Sequence, residues 1–144
     1  MTLDEKSKAG MAVAGGMMGV AFGEAMGQAA ASDGFGAGIA RLALDYAFAD
    51  VWGRDGLTKR DRSLVVIAAL IAQGQTLELK NHIKIGITHG LTIREIEEVL
   101  IQALPYVGFP RVSSALTATI EALREAGLDP NTRTAEERGL LSAC

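Results

Sequence analysis

Cysteine is nearly absent from this chain of 144 residues: the single one is Cys144, at its last position. An intrachain disulfide and a CxxC redox pair are therefore excluded, and a terminal thiol has no fixed scaffold to aim it as a nucleophile. Histidine is almost as scarce, with His82 and His89 the only two. Seven residues of helix separate them by ~10 Å, too far for two ligands that each bond one metal ion at ~2 Å. No metal site is expected on this pair. Basic clusters are also missing. Fourteen Lys and Arg against seventeen Asp and Glu leave a net charge of −3, so there is no electrostatic footprint for nucleic acid and no polybasic segment for a membrane surface. Long apolar runs are lacking too. The uncharged stretch from Ala9 ends at Glu24, short of the ~20 residues that cross a bilayer. As a secretion signal it is poor, because Asp4 and Glu5 cancel Lys6 and Lys8 and the stretch contains no leucine. These absences favour a reducing, cytoplasmic setting.

What remains is rich in small and aliphatic residues. Hydrophobic residues make up 49% of the chain and aromatics only 5%, a balance that suits closely packed helices better than a β-sandwich. The length suffices for one domain with a real core. Within "GGMMGVAFGEAMGQAAA", Gly15, Gly19, Gly23 and Gly27 recur every four residues. Residues at that spacing share one helical face. Each interior glycine costs about 0.5–1 kcal/mol relative to alanine, so the stripe implies a surface that something approaches closely.

Periodicity and caps divide the chain into helices. The glycine-striped helix is expected from Ala9 to about Ala31, ending at "SDGFG". A second is expected over "FGAGIARLALDYAFADVW", and a third over "KRDRSLVVIAALIAQG", with Thr58 as its N-cap and Asp61 three residues on. The apolar run "LVVIAALIA" reads as a buried central helix. Thr76 opens the fourth helix, which stops at Gly90, a C-cap residue. Thr92 and Glu95 form a capping box that opens the fifth, which Pro105 kinks or ends. Pro110 begins the sixth, closed by Gly127, and residues 128–144 read as a polar, loosely held tail. No strand pair or internal repeat is evident. The expected fold is all-α, six helices in one domain over residues 9–127, with residues 1–8 as an extension.

Chemistry concentrates around His82. It shares a helical face with Glu78 and Gln75, at spacings of four and seven. A carboxylate one turn before an imidazole can orient the ring and raise its pKa, as suits a general acid. An exposed ion pair of a few tenths of a kcal/mol is the plainer alternative.

The block from Val51 to Pro110 carries "W-x-R-x-G-L", "R-S-L-V", "E-L-x-x-H", "G-L-T-x-x-E-I" and "Y-x-G-x-P" in order and without a gap. In this it resembles the carboxymuconolactone decarboxylase family, and the likeness extends over roughly Gly10 to Leu123. The resemblance implies a compact six-helix domain of the alkylhydroperoxidase D-like kind, assembled as a homo-oligomeric trimer or hexamer. The glycine stripe would then line an intersubunit or interhelix contact. The superfamily's C-x-x-C-x-x-x-H signature falls with its histidine on His82 and its cysteines on Gln75 and Glu78. Neither position can form a thiolate, which argues against a peroxidase.

The family's decarboxylases work without a cofactor, which implies a small carboxylated lactone or related carbonyl-activated acid as substrate, possible in aromatic-compound catabolism. By the same resemblance His82 is the proton donor and Glu78 orients it. Gln102 and Tyr106 are candidate donors to the substrate carbonyl, and Arg62 is a candidate anchor for its carboxylate. Trp52, Phe22 and Arg111 complete the substrate-binding candidates. The pattern also departs from the family: Ala14, Phe22, Phe48 and Ser113 replace an arginine, a histidine, a tryptophan and an asparagine. Arg111 could supply a relocated charge. A less charged substrate is therefore as compatible with these residues as the dicarboxylate. A thiol-type redox protein and a non-catalytic oligomeric binding protein are the competing readings.

Overall fold

A computed structural model of the chain describes residues 2–139, so Cys144 lies outside the described residues. All regular elements among them are helical, as expected. Contacts group the chain into two compact units, residues 1–59 and the chain from Arg60 onward.

The first unit holds α1 (Glu5–Met18), α2 (Val20–Ala31) and α3 (Ala37–Leu42), which continues as a π-helical stretch over Ala43–Trp52. The single helix expected over 9–31 is thus two, and it starts earlier, at the Asp4 cap. Gly19 makes the break. Its φ of 100° is a conformation that side chains resist, and its N–H returns to the Gly15 carbonyl at 2.8 Å. The rest of the glycine stripe closes α1 onto α2. A Cβ on Gly23 would lie 2.5 Å from the Met11 carbonyl oxygen, and one on Gly27 would meet the Met11 side chain. Gly10 plays the same part against the Leu44 backbone of the π-helical stretch. The stripe is therefore an interhelix surface inside this unit.

A polar clasp fixes the same packing. Asp4 accepts from the Ser7 N–H at 2.9 Å, and the Ser7 hydroxyl, fully buried, donates to Asp45 at 2.5 Å. Arg41 bridges Asp4 and Asp45, and Lys6 pairs with Asp50.

The second unit contains α4 (Lys59–Gln73), which opens at the junction, then α5 (Thr76–Thr88), α6 (Ile93–Val107) and α7 (Phe109–Glu125). Its core joins Ile67 and Ile71 of α4, Leu79 and Ile83 of α5, Ile96 and Leu100 of α6, and the small residues Ala115, Ala118 and Ala122 of α7. Small residues on α7 let α5 pack close to it. On the outside, Lys80 and Lys84 of α5 pair with Glu125 of α7 at 2.7 and 2.5 Å, holding its carboxyl down to about 2.

The α4 helix is less enclosed than its apolar run suggests. It buries the stripe Ser63, Ile67 and Ile71 and leaves Val65 60% exposed. The Thr92–Glu95 capping box forms as expected. Pro105 does not end α6, which continues to Val107 and stops at Gly108, where φ is 85°. Pro105 leaves the Ile101 carbonyl without its N–H donor, and Ile101 is exposed, so water can take that place.

Residues 128–139 are held more firmly than their polar composition implies. Arg124 grips Glu137 at 2.6 and 3.1 Å and the Thr132 carbonyl at 2.7 Å, while Thr134 and Glu137 exchange reciprocal hydrogen bonds.

Glycine substitutions should separate these roles. Gly23→Ala is expected to destabilise the protein by ~1–3 kcal/mol through overpacking against backbone. Gly16 lies in α1 with nothing within 4 Å of its added Cβ, so Gly16→Ala should stabilise by about 0.4–1 kcal/mol. Urea titration of both variants measures the contrast, and equal effects would contradict the close approach of α1 and α2.

Candidate active site

The face of α5 that carries Leu79, Ile83 and Gly86 is buried. Glu78, His82 and His89 occupy the neighbouring stripe, at the edge of that buried face. His82 is accordingly half-buried, while Glu78, one turn earlier, is exposed. Burial lowers the His82 pKa below its usual 6.5. Glu78 favours the imidazolium, but desolvation outweighs it and His89 adds to the lowering. This corrects the expected direction: the carboxylate does pull the pKa upward, but removing the ring from water pushes harder.

His89 is not merely a helix-end residue. It is the C-cap of α5, and its Nδ1 lies 2.8 Å from the Ser63 hydroxyl of α4, which is fully buried. Neither residue of this contact belonged to the expected site. The 26-residue separation between them carries no sequence signal.

Gln102 and Tyr106 do come together. They line an open groove of about 800 Å³ between α4 and α6. Leu64 and Ala68 of α4 and Val99, Ala103 and Val107 of α6 supply its apolar surface. Along α6, Arg94, Glu98, Gln102 and Tyr106 recur at every fourth residue and present one polar edge. Tyr106 is 81% exposed and is therefore no core residue.

The groove's cations are Arg60 and Arg94, whereas Arg62 is half-buried on α4 and does not line it. Arg60 pairs with Glu95 and with Asp61. The spacing from Arg94 to Tyr106 could have exposed this edge from sequence; Arg60 could not be chosen over Arg62 without knowing the rotation of α4. His82 and Glu78 are not among the residues lining this groove.

The remaining candidates lie elsewhere. Arg111 reaches over Gly74 at the turn between α4 and α5, where glycine's φ of 67° and missing side chain make room for the guanidinium. Phe22 and Trp52 belong to the first unit. Phe22 stacks edge-to-face on Phe48, with centroids 6.4 Å apart, and Trp52 is buried at the end of the π-helical stretch. Ala14 is 0% exposed, so an arginine in its place would have no room in this fold without rearrangement. Among the described residues, no group of three or more His, Cys, Asp or Glu is placed to hold a metal ion.

Comparison with known proteins places these residues in context. The model of the carboxymuconolactone decarboxylase family matches residues 37–121. Over 85 residues the chain is 34% identical to a 4-carboxymuconolactone decarboxylase of Acinetobacter baylyi, covering 59% of this chain and 63% of that protein. Over 84 residues it is 33% identical to a nitrosuccinic acid decarboxylase of Metarhizium robertsii, covering 58% of this chain and 59% of the relative. The chain thus spans about three fifths of the length of each of these two relatives.

Two outcomes are expected at the histidines. Because the folded His82 pKa lies below 6.5, the unfolded chain binds more protons as pH falls through 6.5. Stability should therefore decline on acidification from about pH 7 and level off below the depressed folded value, and His82→Gln should flatten that slope in urea titrations at successive pH values. His89→Ala leaves the buried Ser63 hydroxyl without this partner and should cost ~1–3 kcal/mol. An unchanged urea midpoint would exclude a structural part for His89.

Proposed function

Because the chain belongs to the carboxymuconolactone decarboxylase family, we propose that it is a cofactor-free carbon–carbon lyase that releases CO₂ from a small carboxylated lactone or related activated acid. The observation that carries the reading is the Glu78–His82 turn of α5, which falls inside the matched residues. The named substrates of the two relatives, 4-carboxymuconolactone and nitrosuccinic acid, both carry an electron-accepting group besides the carboxyl lost. That is the substrate class proposed here. Domain 9–127 would carry the activity, and aromatic-compound catabolism is one setting for such a substrate.

Decarboxylation breaks the C–CO₂ bond and leaves its electron pair on the substrate. In an unsaturated lactone the pair runs through the double bond into the carbonyl oxygen, and a proton then returns to the far carbon. His82 is the proposed proton donor. The neutral imidazole favoured by burial gains its proton when the anionic substrate arrives, since a neighbouring negative charge favours the imidazolium. After transfer the ring recovers a proton from solvent. Glu78 orients the ring; Gln102 and Tyr106, which line the groove between α4 and α6 and not the His82 stripe, are the proposed donors to a developing oxyanion. Arg62 and Arg111 are the remaining proposed substrate contacts of the second unit, while Phe22 and Trp52 are candidates on the sequence alone, Phe22 being stacked on Phe48 within the first unit.

A homo-oligomer, trimer or hexamer, goes with this reading. Its support is the exposure of Val20, Ile39, Leu42 and Tyr46 on α2, α3 and the π-helical stretch. The glycine stripe, turned inward, lends it none.

Measurement of CO₂ release tests the mechanism. His82→Ala should lower kcat by roughly 10²–10⁴, the usual contribution of a positioned general acid. For the free enzyme, kcat/KM should fall as pH rises through the depressed His82 pKa, because the donor must be protonated. Normal turnover by His82→Ala on a true substrate would remove His82 from the mechanism. Turnover should also survive chelators and thiol-blocking reagents, and its loss on chelation would overturn the cofactor-free reading. Light scattering that finds a monomer at micromolar concentration would dispose of the oligomer.

A further inference from the structure

The Ser63–His89 contact bears on the reaction as well as on the fold. His89 follows His82 by seven residues, about two helical turns, so the two lie on one side of α5. At the C-terminal end of that side, the buried Ser63 hydroxyl of α4 meets His89 Nδ1 at 2.8 Å. One turn before His89, Gly86 packs against Leu91 and Ile67, where even a methyl group would crowd the Leu91 side chain at 2.9 Å. Two adjacent points, one polar and one apolar, therefore fix how α5 is rotated against α4. The same rotation aims the stripe that bears Glu78 and His82. We propose that His89, held by Ser63, is a positioning residue for His82: it sets the rotation of α5 that presents His82 to substrate. This inference rests on His82 being the proton donor.

The charge of His89 adds a second, separable effect. The groups that act on the ionisation of His82 are Glu78, which favours the imidazolium, and His89, which opposes it. An asparagine at position 89 can place a polar atom where Nδ1 stands and still meet Ser63, but it carries no charge.

The chain's two histidines make the test direct, because each contributes one imidazole spectrum by NMR. His89→Ala should lower kcat about 10-fold to 10²-fold with KM little changed, the scale expected when a reacting group is displaced by an ångström or less. His89→Asn should restore most of kcat, while the His82 imidazole titrates at higher pH than in the unaltered protein. Ser63→Ala should lower kcat in the same direction as His89→Ala. If His89→Ala proves too unstable to assay, His89→Asn and Ser63→Ala carry the test. Unchanged kcat in Ser63→Ala, together with an unmoved His82 titration in His89→Asn, would overturn the proposal. The NMR titration needs no turnover, so it separates this failure from a failure of the proposed reaction, which His82→Ala reports.

Discussion

The burial of one face of α5 is the constraint on which the candidate site depends. Leu79, Ile83 and Gly86 are drawn inward because apolar area leaves water, at roughly 25 cal/mol per Å². A helix advances 100° per residue, so the stripe beside that face must lie at the rim of the core. Glu78, His82 and His89 sit there for no other reason than their positions in the chain. A rim position half-buries His82, and half-burial is what depresses its pKa. The pKa of the residue thus follows from how far the neighbouring packed face takes its ring out of water.

The two units close by different means. In the first, α1 meets α2 and the π-helical stretch through missing side chains: Gly23 faces the Met11 carbonyl and Gly10 the Leu44 backbone. A polar clasp of Asp4, Ser7, Arg41 and Asp45 then pins the contact. In the second, aliphatic side chains interlock with the alanines of α7, and charged pairs such as Lys84–Glu125 stay at the surface. Exposed pairs of that kind contribute little, so the second unit rests on its core, while the first depends on backbone approach as well.

Family membership and geometry address different questions. The match over residues 37–121 establishes what kind of protein this is. It does not choose the substrate, because the two relatives act on different acids at nearly the same identity. Ala14, Phe22, Phe48 and Ser113, the positions at which the sequence reading expected a departure from the family pattern, are fixed by the fold to different degrees. Burial of Ala14 and the stacking of Phe22 on Phe48 make three of these positions parts of the packing.

Local signals in the sequence were enough for the helical class, the Thr92–Glu95 box, the ends of α5 and α7 at Gly90 and Gly127, and the placing of Glu78 and His82 one turn apart on one helix, with Gln75 just before its first residue. Each depends on residues within a turn or two of one another, where spacing and orientation are tied by the helix itself. Tertiary structure decided the rest. Gly19 could have been one more glycine of the stripe or the break in it, and only the turn of α2 back onto α1 made it the break. Nothing local distinguishes Arg60 from Arg62 as a cation of the groove, since the choice depends on how α4 is rotated against α6. Ser63 and His89 meet across 26 residues, and the sign of the His82 shift depends on how much water its neighbours exclude. Desolvation and long-range contact are properties of the packed chain, so no spacing rule could have supplied them.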